Sequence, residues 1–309
     1  MRIHRPLRAE AVGDDRALEL RDGRLLGYAG FGDPTGKPVL YFHGHPGSRL
    51  EPALLHEAAA AAGVRLIGSD RPGMGLSTFQ RDRHILDWPA DVEELADALE
   101  LERFAVAGGS GGGPYAAACA LSIPERLTGC GLISSAAPPG LARGDGKPGE
   151  IWINRVQRLV ARHAPWALEP AFAVLARWLR ARSGRMDIAR LGRGALRSFP
   201  EVDRRALARP PQPERFGESL LAAFARGSRG VAWEARLLYR DWGFKLSQID
   251  CANVHVWHGG LDRNIPIAAG RALVAEIAGA QAHFYSEDGH LSVALDHFDD
   301  VVGVLLAGG

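Results

Sequence analysis

The sequence predicts an α/β fold: a mostly parallel sheet covered by helices on both faces, with an all-helical segment inserted before its last two strands. Three observations carry this. Short apolar runs alternate with longer helical patterns through the first 136 residues and again from about 246 to 309. These runs are near-continuously apolar instead of alternating, as strands buried on both faces are. Between 137 and 245 the strand runs stop and one helical pattern follows another.

In order, ALELRDGRLLGYAGFG (17–32) reads as an antiparallel hairpin turning at Asp22-Gly23. PVLYFH (38–43) is a strand, EPALLHEAAAAAG (51–63) a helix closed by Gly63, and VRLIGSD (64–70) the next strand. DWPADVEELADALEL (87–101) is a helix with Asp87 as its N-cap ahead of Pro89. FAVAGG (104–109) is a strand, PYAAACALSI (114–123) a helix and TGCGLISS (128–135) a strand. The rhythm resumes with NVHVWH (253–258), a helix over 266–278, AHFYSE (282–287) and a final helix from about 291 to 306. With the hairpin this makes eight strands. The insertion, broken by RPPQP (209–213), is expected to form a cap over the carboxyl edge of the sheet, where such folds bind ligands. The expected organisation is a core of 1–136 and 246–309 with a helical cap of 137–245.

Composition narrows the function. The 309 residues are 46% hydrophobic and 24% charged, which is ordinary for a globular chain. A net charge of +1 gives no reason to expect nucleic acid as a partner. Cys119, Cys130 and Cys251 are odd in number and scattered, so they read as small core residues of a reducing compartment. The charged start MRIHRPLRAE lacks the apolar run of a secretory signal, and no apolar run approaches the roughly 20 residues that span a bilayer. The expected setting is cytoplasmic, with no membrane partner. Trp152, Trp178 and Trp233 of the insertion are interleaved with arginine and are expected to pack inward on the core. Residues 140–245 carry 21 Lys/Arg against 10 Asp/Glu, a cationic segment suited to a carboxylate or another anion.

The stretch AVAGGSGGGP (105–114) resembles a flexible linker, but it lies between a buried strand and an Ala-rich helix of one domain. It contains G-x-S-x-G from Gly108 to Gly112, on a strand-to-helix turn. Such a turn strains its serine and needs side-chain-free neighbours, and the glycines here exceed that requirement. Ser110 stands at a helix N-terminus, which favours a developing anion. A nucleophilic serine needs a base and the base an orienting carboxylate. His290 follows the last predicted strand and Asp262 the one before, so both emerge at the edge that holds Ser110. An oxyanion hole needs two backbone N–H groups. Gly111 supplies one. FHGHPG (42–47) supplies the other, from His45, which Pro46 biases toward an extended backbone, in preference to Gly44. The His45 side chain reads as incidental, and His255 and His258 as packing or hydrogen-bonded residues.

With these motifs in order, the chain resembles the α/β-hydrolase superfamily, in the lidded serine-hydrolase branch with an H-G-x-P-G oxyanion loop. His43–Gly47 matches that loop, Asp70–Ser77 the D-x-x-G-x-G-x-S turn, Gly108–Gly112 the nucleophile elbow, and HGGLDRNIP and DGH the acid and histidine loops. The resemblance covers the core and not the insertion. It implies an α/β-hydrolase fold and an acyl-enzyme route on a small-molecule ester, with Ser110 as nucleophile, His290 as base, Asp262 as its orienter and the His45 and Gly111 amides for the oxyanion. It calls for no metal or organic cofactor. A proline-iminopeptidase-like enzyme and a carbon–carbon bond hydrolase remain alternatives on the same triad. A ligand-binding receptor on the scaffold is the alternative of another class, and turnover separates it from an enzyme.

Overall fold

The computed structural model describes residues 13–141, 150–183, 188–195 and 197–307. The charged start at 1–12, together with residues 142–149, 184–187 and 196 of the expected cap, lies outside the described residues. Eight strands form one sheet: β1 (Arg16–Glu19), β2 (Leu25–Gly32), β3 (Lys37–Phe42), β4 (Val64–Ser69), β5 (Phe104–Gly109), β6 (Leu127–Ile133), β7 (Val254–Gly259) and β8 (Gln281–Tyr285). Their spatial order is β1-β2-β4-β3-β5-β6-β7-β8. The pairs β1·β2 and β2·β4 are antiparallel and all others parallel. The hairpin turns through Gly23 at φ +82°, as the Asp-Gly pair predicts.

The helices divide between the two faces because successive strand residues point opposite ways. Leu40, Phe42, Val106, Leu132 and Val256 form one core with α2 (Trp88–Ala98), α3 (Gly113–Ser122) and α10 (Ala268–Glu276). Val39, Tyr41, Ala105, Ala107 and Trp257 form the other with α1 (His56–Ala61), α11 (Ser292–Asp296) and α12 (Phe298–Leu305). Both faces of the sheet are covered by apolar side chains, which is why β3 and β5 read as apolar runs, while β7 interrupts its run with the buried His255 and His258. The three cysteines are free and buried.

Three local expectations are corrected. The helix expected over 51–63 starts as a 3-10 turn at Glu51–Leu55 before α1. Asp87 does not cap α2: its own backbone is already helical, and its carboxylate reaches back to the His84 N–H at 2.8 Å. The last helix is two, parted at His297, whose ring stacks on Tyr285 at 3.8 Å and bonds Asp288 through Nε2 at 2.9 Å. Those contacts hold the ring against β8 and its loop, and the helix breaks there.

Between β6 and β7 run α4 (Trp152–His163), α5 (Leu168–Ser183), α6 (Ile188–Ala195), α7 (Glu201–Ala208), α8 (Gln212–Ala223) and α9 (Arg229–Leu238). Pro210 and Pro211 separate α7 from α8, as expected, and Pro213 falls in the first turn of α8. Trp233 packs inward, its Nε1–H donating to the Arg83 carbonyl at 3.1 Å and its ring edge-on to Phe79. Trp152 and Trp178 do not: they are 68% and 45% exposed, which overturns the inward packing expected of them. Among the described residues no helix is long and apolar enough to cross a membrane.

Candidate active site

The parallel strands bring the motif loops to one edge. Gly109, Ile133, Trp257 and His283 are in register across β5, β6, β7 and β8. Ser110 follows at once, Asp262 comes a few residues after β7, and His290 after β8, so all three leave the sheet on the same side.

Ser110 has φ +54°, a left-handed conformation that costs a non-glycine residue on the order of 1–3 kcal/mol. The glycines around it are all needed, which corrects the expectation that they exceed the requirement. A Cβ on Gly108 would strike the Gly112 carbonyl, one on Gly109 the Tyr41 hydroxyl, one on Gly112 the Phe42 carbonyl, and one on Gly113 the Ser135 side chain. On Gly111 it would press the His45 Cβ at 3.0 Å. Strand, elbow and oxyanion loop are thus in backbone contact, and α3 starts directly behind them with Pro114 in its first turn.

Asp262 is buried and every carboxylate oxygen is used. Oδ1 accepts the N–H groups of Asn264 and Ile265, both at 2.8 Å. Oδ2 meets His290 Nδ1 at 2.7 Å, with His258 Nε2 at 3.4 Å. Burial opposes the charged carboxylate, but the two imidazoles and these hydrogen bonds outweigh it and hold the group at about 2. For His290 burial likewise opposes charge, and the carboxylates of Asp262, Asp203 and Glu51 overcome it, raising the ring above its usual 6.5. Nδ1 engages Asp262, which leaves Nε2 for proton transfer. His258 is the hydrogen-bonded neighbour expected of it, its Nε2 also lying 2.8 Å from the Ile265 carbonyl. His255 lies off the site, bonded to Asn253 and His283.

In the loop after β3 the Gly44 and His45 amides differ in their surroundings. The Gly44 N–H donates to both Glu51 oxygens at 2.9 Å. His45 N faces Gly111, lying 3.4 Å from where a Cβ there would sit. The Gly44–His45 peptide is pinned through its carbonyl, which receives Arg71 Nη2 at 3.0 Å and His43 Nδ1 at 2.7 Å. His43 Nε2 accepts the Arg71 N–H at 3.3 Å, so its proton is on Nδ1 and the ring donates. Carbonyl and N–H of a trans peptide point opposite ways. Gripping Gly44 O on one side therefore aims the His45 N–H at the other. The Asp70–Ser77 turn holds this grip in place: Asp70 accepts the Arg49 and Leu76 amides at 2.7 and 2.8 Å, and Ser77 Oγ–H donates to the Asp70 carbonyl at 2.7 Å.

Three carboxylates at the site were not singled out from the sequence. Glu51 is raised above its ordinary value by burial, only partly offset by the Gly44 amide and Arg71. Asp203 of α7 accepts the N–H groups of His290 at 2.9 Å, Leu291 at 2.8 Å and Ser292 at 3.0 Å. Glu234 of α9 accepts Arg71 Nε at 2.7 Å and the Tyr115 hydroxyl at 2.8 Å and pairs with Arg83. A buried acid is a signal only once its partners are known, and these partners lie far along the chain.

Ser110, Gly111 and His45 open on a cavity of about 710 Å³. Its floor is apolar, with Pro138, Leu238 and Ile265; its roof is polar, with Asn154, Arg158 and Arg162 of α4. Glu150, also at the cavity, holds Arg158 through two hydrogen bonds of 2.8 and 3.1 Å. Both ring nitrogens of His45 are buried without a partner among the described residues, and burial lowers the ring to about 4, so it is neutral.

Comparison with known proteins bears on the fold. Residues 37–296 match the family model described as alpha/beta hydrolase fold. A proline iminopeptidase of Xylella fastidiosa is 36% identical over 112 residues, 35% of each chain. A non-heme chloroperoxidase of Streptomyces lividans is 34% identical over 154 residues, 48% of this chain and 55% of that one. These matches span about a third to a half of the relatives' own length. Among solved structures, an esterase from Exiguobacterium antarcticum superposes with a TM-score of 0.66 at 21% identity, covering 94% of this chain and 97% of that one. An enol-lactonase from Burkholderia xenovorans gives 0.67 at 18%, covering 94% and 100%. With a family match over most of its length and the eight-stranded sheet and strand order described above, the chain belongs to the alpha/beta hydrolase fold family.

Proposed function

We propose that the protein is a serine hydrolase of small-molecule esters, with Ser110, His290 and Asp262 as its triad and 137–245 as a cap roofing the cavity. The observation that carries this reading is the strained serine at the elbow, sharing the cavity with the His45 and Gly111 amides while Asp262 holds His290 on the same edge. His290 Nε2 takes the Ser110 hydroxyl proton as Oγ bonds to the substrate carbonyl carbon. The carbonyl oxygen, now an anion, lies between the two amides. Collapse breaks the ester C–O bond, and His290 gives its proton to the departing alkoxide. Water then repeats the sequence on the acyl-enzyme and frees the acid and Ser110.

The cavity suits a compact substrate with a polar or anionic group, since Glu150 is taken by Arg158 and Arg162 also lines the cavity. The proline iminopeptidase relative points instead to release of an amino-terminal residue. That chemistry needs free carboxylates for an amine, and Glu150 and Glu51 are engaged by Arg158 and the Gly44 amide. The ester reading is therefore preferred. Reaction with a fluorophosphonate followed by mass mapping is expected to place the adduct on Ser110, with turnover of a short nitrophenyl ester well above that of a proline arylamide. An adduct elsewhere, or none, would remove the serine-hydrolase reading.

The pH profile offers a second check. Only neutral His290 accepts the proton, and its pKa is raised, so activity should fall as pH drops through a midpoint above 6.5. In Asp262→Asn the carboxylate that supports the charged ring is gone, and the residual activity should titrate at lower pH. A midpoint that does not move, or moves up, would mean that Asp262 does not govern the base.

A further inference from the structure

Helix α4 is turned the wrong way round for a soluble protein. Asn154, Gln157 and Arg158 face the cavity, while Trp152, Ile153, Val156 and Leu159 lie on one stripe of the opposite side and are 46–68% exposed. The next elements continue the pattern. Trp166 is 78% exposed, and on α5 Val174, Leu175 and Trp178 are exposed too. Both helices bury their inner stripes against α9, through Ala161 and Leu168 on Ala232 and Ala235, so their outer stripes look away from the core together. Among the described residues nothing covers this face. Contiguous apolar surface of this kind marks an interaction site.

Its charge says what it meets. Residues 152–182 hold six arginines and one acid, Glu169. Arg155, Arg177, Arg180 and Arg182 are exposed, and the Arg182 guanidinium lies over the exposed Trp178 ring at 4.2 Å. Two copies joined through this face would set one cationic patch against another. An anionic lipid surface meets both features: tryptophan rings settle at the headgroup level, aliphatic side chains enter the acyl boundary, and arginines reach back to phosphate. Among the described residues no helix is long and apolar enough to cross a bilayer, so the contact proposed is with its surface.

We propose that the outward face of α4, the Trp166 turn and α5 is a docking surface for anionic membranes. This departs from the expectation of no membrane partner, which drew on the lack of a membrane-spanning apolar run and on inward packing of the insertion's tryptophans, two of which, Trp152 and Trp178, the fold leaves exposed. It is independent of the ester reading, because binding is measured without turnover.

The test is flotation of the full chain with phosphatidylcholine vesicles, with and without phosphatidylglycerol. Binding is expected with the anionic vesicles, weakened by salt and accompanied by a blue shift of tryptophan emission. Trp152→Ser/Trp166→Ser should lower partitioning roughly tenfold or more, and Arg155→Gln/Arg177→Gln should remove the preference for phosphatidylglycerol. Circular dichroism and turnover of a soluble ester, both unchanged, show that the variants are folded. Three results overturn the proposal: no flotation with anionic vesicles, flotation indifferent to both variants, or a dimer in sedimentation that Trp152→Ser/Trp166→Ser dissociates, in which case a second copy covers the face.

Discussion

Ser110→Ala is expected to lower kcat/KM for a short nitrophenyl ester by roughly 10³-fold or more while leaving the unfolding midpoint near that of the wild type. On the proposed reading the loss is large because the amides of Gly111 and His45 can only stabilise an anion that a nucleophile has created. The fold should survive because alanine keeps the Cβ and the backbone conformation that Ser110 already adopts at φ +54°. Residual turnover within tenfold of wild type, in a folded variant, would show that another group performs the chemistry. Substrate protection should separate the two contributions: the alanine variant keeps its cavity and should still bind product, read by competition or calorimetry.

Glu234→Ala should give the largest loss of stability. Glu234, Arg71 and Arg83 are all buried, and the carboxylate is the acid that both guanidiniums share. Burial opposes its charge, yet Arg71 and Arg83 hold it at about 2, so it stays ionised through the physiological range. Removing one member of such a cluster leaves uncompensated charge in the interior and costs about 3–5 kcal/mol. In a chain of this size that lowers Tm on the order of 10 °C. The stabilisation is present above the unfolded carboxyl value of 4.5 and fades as pH falls from there through the folded value near 2. Glu234→Gln keeps the shape and loses the charge, and should fall between. Because Arg71 also fixes the Gly44 carbonyl, kcat should drop in both variants more than KM changes. A Tm within about 2 °C of wild type in Glu234→Ala would mean the cluster contributes little to stability.

The sheet and the elbow were legible because their signals are local. Buried parallel strands write themselves as apolar runs, and a glycine-flanked serine between strand and helix has few other uses. That Asp262 and His290 emerge at one edge of the sheet was legible from chain order alone. The preference for His45 over Gly44 was reached from Pro46; what the sequence did not announce is that Glu51, seven residues later, takes the Gly44 N–H. What was not legible depends on distant pairing. Nothing near Asp203 announces that it will accept three amides of the histidine loop, and nothing near Glu234 announces two buried arginines. The orientation of α4 failed for a related reason. A helical period fixes which residues share a stripe but not which stripe faces in, and the assumption that apolar means inward chose the wrong one.

The grips of Asp203 and Glu234 also bear on how this scaffold can be inherited and rebuilt. The helices inserted between β6 and β7 hold the loops at the sheet edge, with α7 fastening the loop of His290 and α9 fastening, through Arg71, the peptide of His45. A graft that brought new walls for a new substrate would therefore have to supply an acid at both of those places. Without them the recipient would lose its chemistry along with its former selectivity.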